Sequence, residues 1–589
     1  MSSDASFLKL IAKIYKLLPR RRKLQFPLLI GLILSGAFAE ILTLSMVFPF
    51  IDLITNKDSM IESVVVTKLI WFFKVNDGAD ILALLTILFI AILILSGAIR
   101  TIMTWFLYRF SFGLGYDFTV EIYKRTLLQE YRVHLLRNSS EVLGGINKAV
   151  IMVGNVVLPM MKGLAALIMS LSIVSMLFFI NYSVTLSLIF LFIIIYILLS
   201  KTVKSRLREN SVIIANGQSF RVKSVQEGLG GIRDIILDSS QSVFIKRFEN
   251  IEWGLRRAQG NNGLIADIPR YVIEAFSISV MCILAYKLSF SEGGVITSLP
   301  IFGAFALAAQ KLIPLMQMVY VNWTQVSGNY AVISDVIKLL DQPIPLNKSD
   351  KKIQFNYELV LKKVHFKYES NNKYALKDIS IEIAKGMKVG FIGKTGSGKS
   401  TLLDIIMGLL QPSNGIIEVD GIPLDPYNIS AWQSQVAHVP QDVYICDLSI
   451  AENVALGINF ADIDFRKLDI VIQRAELSEF VAKQEKGLNT VLGEQGALIS
   501  GGERQRIGIA RALYKEANVL ILDEATSALD DKTEKDIMLN IDDLRNDITV
   551  LIIAHRLSTL SGCDLIFRLD NGKLVEKGSY NKIIVQNNR

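Results

Sequence analysis

The sequence predicts a membrane protein in two parts: an all-α domain of six transmembrane helices, then an α/β domain built around a P-loop. Three observations predict this. Gly393-Lys394-Thr395-Gly396-Ser397-Gly398-Lys399-Ser400-Thr401 fits the phosphate-gripping pattern G-x-x-x-x-G-K-[ST]. Hydrophobic residues make up 51% of the 589, and mean hydropathy is +0.40, too apolar for an ordinary soluble protein. The apolarity lies in the first half, while the chain from about Gln354 onward has the mixed composition of a soluble domain.

The elements of the first half follow in order. No cleavable signal pattern opens the chain. Phe7 to Leu18 is amphipathic and precedes Arg20-Arg21-Arg22-Lys23, so residues 1–24 read as an elbow helix on the cytoplasmic membrane surface. A span needs about 20 mostly apolar residues. Six segments qualify: Phe26–Phe50, Ile81–Tyr108, Val153–Ile180, Val184–Leu199, Ile265–Leu288 and Val295–Val319. They define a membrane domain over 25–325, a linker over 326–350 and the soluble domain over 351–589. Lysine and arginine crowd the start of the chain and the loops Arg109–Lys148 and Lys201–Arg257, whereas the intervening loops are acidic or uncharged. That alternation places both termini and the two long loops in the cytoplasm. Those loops are too amphipathic for disorder. They read as helical extensions that turn near Glu130–Gly145 and Gln226–Ser240 and dock on the soluble domain.

A formal net charge of +8 does not indicate a nucleic-acid partner, because the basic residues flank the apolar spans. Cys282, Cys446 and Cys563 are scattered, with no C-x-x-C, so no metal site or disulfide framework is implied. Charged residues inside spans are functional suspects. Glu40, Arg100, Lys162, Arg270, Glu274 and Lys311 are the candidates here. Arg100, Arg270 and Lys311 point to an anionic cargo group such as phosphate or pyrophosphate. The competing reading is snorkelling or pairing, as for Arg270 with Glu274 one helical turn away.

In the second half, Val389-Gly390-Phe391-Ile392 reads as a buried strand and Thr401 to Ile406 as a helix start, the context a P-loop needs. Its N–H groups and helix N-terminus would face phosphate oxygens; Lys399 would reach the β- and γ-phosphates, and Ser400 would ligate Mg²⁺. Val519-Leu520-Ile521-Leu522-Asp523-Glu524 is an apolar strand ending in two carboxylates. Asp523 suits Mg²⁺, and Glu524 suits the general base that polarises water. His438 reads as a satisfied core histidine, and His134 and His365 carry no motif.

Ile499-Ser500-Gly501-Gly502-Glu503-Arg504-Gln505-Arg506 opens a helix and resembles the signature of the ABC ATPase family, L-S-G-G-Q, with Ile499 and Glu503 as departures. The resemblance implies roles for further residues. Ser500, Gly501 and Gly502 would contact the phosphates of an ATP held by a second chain. Gln441 matches the Q-loop glutamine, a Mg²⁺ sensor, and Asp530 ends the D-loop match Ser527-Ala528-Leu529-Asp530. His555 matches the switch histidine at the γ-phosphate, and Tyr368 sits where the family stacks an aromatic ring on adenine. Thr490 to Gly496 looks like the exporter X-loop, with Gln495 in place of the usual Arg. Six spans before one ATPase domain match the half-transporter layout of type IV ABC exporters. One P-loop and one signature per chain imply a functional homodimer using ATP and Mg²⁺, although a heterodimer with a related half fits the same logic.

Phe48-Pro49-Phe50-Ile51, the segment Met60 to Phe73 with its interfacial Trp71, and Gly231-Ile232-Arg233-Asp234 resemble bacterial lipid-linked oligosaccharide flippases. That implies an amphipathic polyprenyl-pyrophosphate oligosaccharide as cargo, membrane lipids as partners and a bacterial cytoplasmic membrane as location. Lipid A-type glycolipids, peptides and drugs are alternative cargoes. A non-transporting regulator or channel gated by ATP is the rival of another class, disfavoured by an intact Glu524 and His555.

Overall fold

The computed structural model describes residues 13–47, 50–51, 78–180, 182–289, 294–344, 353–368, 373–543, 548–554 and 556–585. His555 and the segment Met60–Phe73 lie outside them. Two compact units result: Met1–Gln129 with Leu136–Ile344, and Pro345–Arg589 with Glu130–Leu135.

The first unit is helical. Its helices are α1 (Arg20–Ser45), α2 (Gly78–Leu127), α4 (Ser139–Met152), α5 (Leu158–Ile180), α6 (Tyr182–Gly230), α7 (Ile232–Leu237), α8 (Gln241–Ser289), α9 (Gly294–Gly328) and α10 (Tyr330–Leu340). A short α3 (Tyr131–Leu136) falls almost wholly in the second unit. The expected spans fall on α1, α2, α5, α6, α8 and α9, with a π-helical segment, Val153–Val157, leading into α5. Among the described residues three helices are long and apolar enough to cross a membrane: Arg20–Ser45, Leu82–Leu127 and Ser139–Phe179. The fourth expected span, short in the sequence, continues unbroken into the polar stretch as α6, 49 residues long.

Two expectations shift here. The last turn of the elbow buries Ile14 and Leu18 in a protein core with Leu114, Phe118 and Val332, so these side chains face protein rather than lipid. Residues 330–340, expected as linker, form α10, because Val332, Ile333, Val336, Ile337 and Leu340 make one apolar stripe that packs into that core. Polar pins fix the helices laterally. Arg22 pairs with Asp117 at 2.7 Å, Lys148 with Asp335 at 2.7 Å, and Asn210 Nδ2 donates to Asn262 Oδ1 at 2.7 Å.

The second unit holds two sheets. The antiparallel one runs β2 (Tyr374–Ala384), β1 (Glu358–Lys367), β4 (Asn414–Val419), β5 (Ile422–Pro423). The larger runs β10 (Lys573–Gly578), β9 (Leu565–Asp570), β3 (Lys388–Ile392), β8 (Thr549–Ile553), β7 (Val519–Asp523), β6 (Val436–Val439). All neighbours in it are parallel except β10 and β9. β7 and β8 are apolar without alternation because both faces of the sheet are covered. Leu520, Leu522, Val550 and Ile552 face one core, while Ile521, Leu551, Val389 and Phe391 face the other.

Candidate active site

The parallel strands end at one edge, where open α/β sheets place ligands. Register aligns the tips: Phe391 and Asp523 both pair with Ile553. The P-loop leaves β3, Asp523 and Glu524 end β7, and Gln441 follows β6. Chain segments distant in sequence thus converge because their apolar runs pair.

The P-loop leads into α11 (Lys399–Ile406) through Gly398, whose φ of +102° is left-handed. A Cβ there would stand 2.8 Å from the Ala375 carbonyl oxygen, so both the turn and the close approach require glycine. Lys399 Nζ donates to the carbonyls of Gly393 (2.8 Å) and Lys394 (3.1 Å). Burial pushes its pKa below the lysine range, against the opposing pull of Glu524 and Asp523. Ser397 is buried, and among the described residues its Oγ has no hydrogen-bond partner. The Tyr368 hydroxyl lies 3.0 Å from Thr401 Oγ1, so the expected adenine-stacking ring touches the end of the P-loop.

Glu524 has φ +51°, which costs a residue with a Cβ of order 1 kcal/mol. Its N–H donates to the Ile553 carbonyl at 2.9 Å, which fixes the turn beside the strand that leads to His555. Gln441 Nε2 donates to Glu524 Oε2 at 2.7 Å, joining two residues singled out separately in the sequence. Asp404, on α11, escaped the sequence reading. Burial, reinforced by Asp523, pushes its carboxyl up to about 6. The oxygens of Ser400, Gln441 and Asp523 suit Mg²⁺, which is bound through one or two carboxylates and completes its shell with water, other oxygens and substrate phosphate. With the orphan Ser397 hydroxyl and the P-loop amides, this cradle fits a nucleoside triphosphate with its metal.

The signature begins α12 (Gly501–Tyr514). Ser500 caps it reciprocally with Glu503: Glu503 N donates to Ser500 Oγ at 3.3 Å, and Ser500 N donates to Glu503 Oε2 at 2.7 Å. The departure at Glu503 is therefore the N3 acid of a capping box, a place Glu and Gln fill equally well. Among the described residues no hydrogen bond or ion pair joins Ser500–Gly502 to the P-loop of the same chain. Asp530 caps α13 (Asp531–Asp542), accepting from Thr533 N (3.1 Å) and Thr533 Oγ1 (2.7 Å).

Two further residues, besides Asp404, escape the sequence reading. Gln505 is buried, donates to Ser527 Oγ (3.0 Å) and accepts from Ala528 N (2.9 Å), tying the signature helix to the D-loop. Glu534 is 7% exposed and accepts from Thr526 (2.9 Å), Thr559 (2.7 Å) and Arg556 (2.9 Å). It bridges the residues just beyond Glu524 to those just beyond His555. His438 is half-buried and burial drives it towards its neutral form, but among the described residues its Nε2 has no hydrogen-bond partner, so it is not the satisfied core histidine the sequence predicts.

In the helical unit, Glu40 is 2% exposed. Its Oε1 pairs with Lys311 Nζ at 2.9 Å, and its Oε2 lies 3.7 Å from Arg100 Nη1. Lys162 donates to the Tyr108 hydroxyl at 2.8 Å and covers its ring. Arg270 is exposed, and among the described residues it forms no ion pair, with Glu274 or any other. An arginine N-terminal to a glutamate is the weaker order for an i,i+4 pair.

A family model described as ABC transporter matches residues 376–527. The ATP-dependent lipid A-core flippase of Cupriavidus pinatubonensis is 32% identical over 431 residues, 71% of this chain and 72% of the relative. That of Pectobacterium atrosepticum is 32% identical over 389 residues, 66% of each chain. A solved bacterial Atm1-family ABC exporter with ATP bound has the same fold, with a TM-score of 0.79 over 96% of both chains at 22% identity. With the P-loop, acidic strand and signature already gathered in one unit, these matches show that the chain belongs to the ABC transporter family.

Proposed function

We propose that the protein is an ATP-driven flippase that moves an anionic, lipid-anchored glycan across a bacterial cytoplasmic membrane as a homodimer. The observation that carries this is the sheet edge that gathers the P-loop, Asp523–Glu524 and Gln441 in a chain whose other half is long apolar helices. In the hydrolytic site Lys399 neutralises phosphate charge, and Glu524, oriented by Gln441, accepts a proton from the attacking water. Ser400, Asp523 and Gln441 would hold Mg²⁺, which would supply charge neutralisation at the phosphates. His555 acts at the γ-phosphate, while Ser500–Gly502 face the nucleotide of the second copy. Six spans and cytoplasmic termini complete the reading. The turn around α7 exposes Leu229 (67%), Ile236 (57%) and Leu237 (73%), apolar surface suited to cover by that copy.

For cargo, Arg100 is one side chain placed to meet a phosphate, as is the exposed Arg270. Arg100 is 44% exposed and its contact with Glu40 is longer than a hydrogen bond. A polyprenyl-pyrophosphate oligosaccharide and a lipid A-type glycolipid both offer phosphate beside an apolar tail, and the relatives' names favour the second. Reconstituted protein should flip one of these in an ATP-dependent manner. Arg100→Ala should lower flipping by roughly tenfold, the loss of one charge-assisted contact of about 1.5 kcal/mol. ATPase activity is measured on the same liposomes. Loss of both rates together would show a folding defect, and transport of a peptide or drug instead would reject the cargo class.

Glu534 gives a further expectation. Glu534→Ala strands two threonine hydroxyls and leaves Arg556 paired with Asp531 alone, beside the hydrolytic loops. Turnover should fall roughly tenfold, the scale of a modest misplacement of reacting groups, while nucleotide binding stays near wild type. Unchanged turnover would show that the network only supports the fold.

A further inference from the structure

The two helices that begin at phosphate-facing loops differ in the charge of their first turns. That of α11, which follows the P-loop, starts with Lys399 and holds no acidic residue. That of α12 holds Glu503. We propose that Glu503 is a brake on the composite ATP site: its carboxylate opposes closure of the signature over the γ-phosphate held by the second copy. ATP then binds firmly to one chain while the two-chain sandwich stays easy to reopen. This rests on the reading above that Ser500–Gly502 face the nucleotide of that copy.

Ser500 is exposed and Glu503 half-buried, so both are open to a group arriving from outside the chain. A single oxygen, Glu503 Oε2, accepts from Ser500 N at 2.7 Å and from Ser500 Oγ at 2.8 Å. A serine hydroxyl has one proton to donate. Here the carboxylate takes it, so Ser500 Oγ turns lone pairs, not a donor, towards an incoming phosphate. To grip that phosphate the hydroxyl must leave Glu503. The two anions then stand within about 6 Å, two hydrogen-bond lengths apart.

A helix N-terminus offers an anion roughly half a unit of positive charge. One carboxylate in the first turn outweighs it, and among the described residues no lysine or arginine forms an ion pair with Glu503. Glu and Gln are equivalent as caps but not towards a phosphate, because the amide is uncharged. The helix start is also held in place. Gln505 bonds Ser527 Oγ and Ala528 N, and a Cβ on Gly502 would stand 3.2 Å from the Ala528 carbonyl oxygen. The signature backbone is seated on the D-loop, so the repulsion falls on the closing step rather than being relieved by a shift of the helix.

The test uses full-length protein in nanodiscs, in the Glu524→Gln background that holds ATP unhydrolysed. Release of radiolabelled ATP after a chase of unlabelled ATP times reopening. Glu503→Gln keeps the acceptor oxygen of the cap and removes only the charge. It should slow release roughly tenfold, the scale of two unit charges about 6 Å apart at an effective dielectric between those of a protein surface and water. With Glu524 restored, KM for ATP should fall by a similar factor with no rise in kcat. Thermal stability should stay at the parental value, whereas a merely structural role for Glu503 predicts no change in release or KM. Release no slower than the parent's overturns the proposal. Ser500→Arg tests the underlying reading separately. If it leaves release unchanged, the signature does not face the second copy's nucleotide, and the composite site itself is rejected. If it speeds release while Glu503→Gln has no effect, the composite site stands and the brake alone is rejected.

Discussion

Glu524→Gln is expected to cut ATP turnover roughly 10²-fold or more, within the range for losing a general base, and to leave nucleotide binding near wild type. The substitution preserves size and hydrogen bonding, so Gln441 keeps a partner where it now meets Glu524 Oε2 at 2.7 Å. The phosphate cradle is built from Lys399, Ser397 and the P-loop backbone, none of which it alters. What is lost is a carboxylate able to take a proton. The left-handed φ of +51° supports this choice of residue: a glycine or asparagine would sit there with less strain, yet a glutamate is present. Asp523 cannot replace it if committed to Mg²⁺. Single-turnover hydrolysis and equilibrium ATP binding on one preparation decide the matter, and near-wild-type hydrolysis would reject the assignment.

The sequence made the hydrolytic half legible because its signals are local. A P-loop is a contiguous pattern, and β3, β7 and β8 announce themselves as unbroken apolar runs. Their convergence follows from parallel pairing alone. Ser500 and Glu503 were equally readable as S-x-x-E, a capping box, although comparison with a family pattern made Glu503 look like a departure. Gln505 and Glu534 were not legible. Each is an ordinary polar residue on a helix until the fold brings distant threonines, an arginine or a backbone N–H to it. The membrane half reverses the pattern. Hydropathy locates its helices, but no periodicity says which charges meet. Arg270 and Glu274, neighbours by spacing, stay apart, whereas Glu40, Arg100 and Lys311 come together from three helices.

That cluster carries the second large effect. Glu40→Ala should destabilise the helical unit by about 3 kcal/mol, the lower end for breaking a buried ion pair. The lower end applies because Lys311 keeps 27% of its side chain exposed and Arg100 44%, so both cations retain some solvation. Lys311→Met should cost a comparable amount, since it leaves the buried Glu40 carboxylate with only the distant Arg100. Changing both, Glu40→Met with Lys311→Met, should recover most of the loss, because a well-packed apolar pair often matches a buried ion pair. Thermal denaturation of the purified protein reads all three. Additive losses in the double variant would mean that the two residues act independently and that the pairing contributes nothing. The same double variant separates structure from transport. It keeps Arg100 and a stable fold but lacks Lys311, so a stable protein with roughly wild-type flipping would assign Lys311 to the scaffold, and a stable protein with flipping lost would assign it to the cargo.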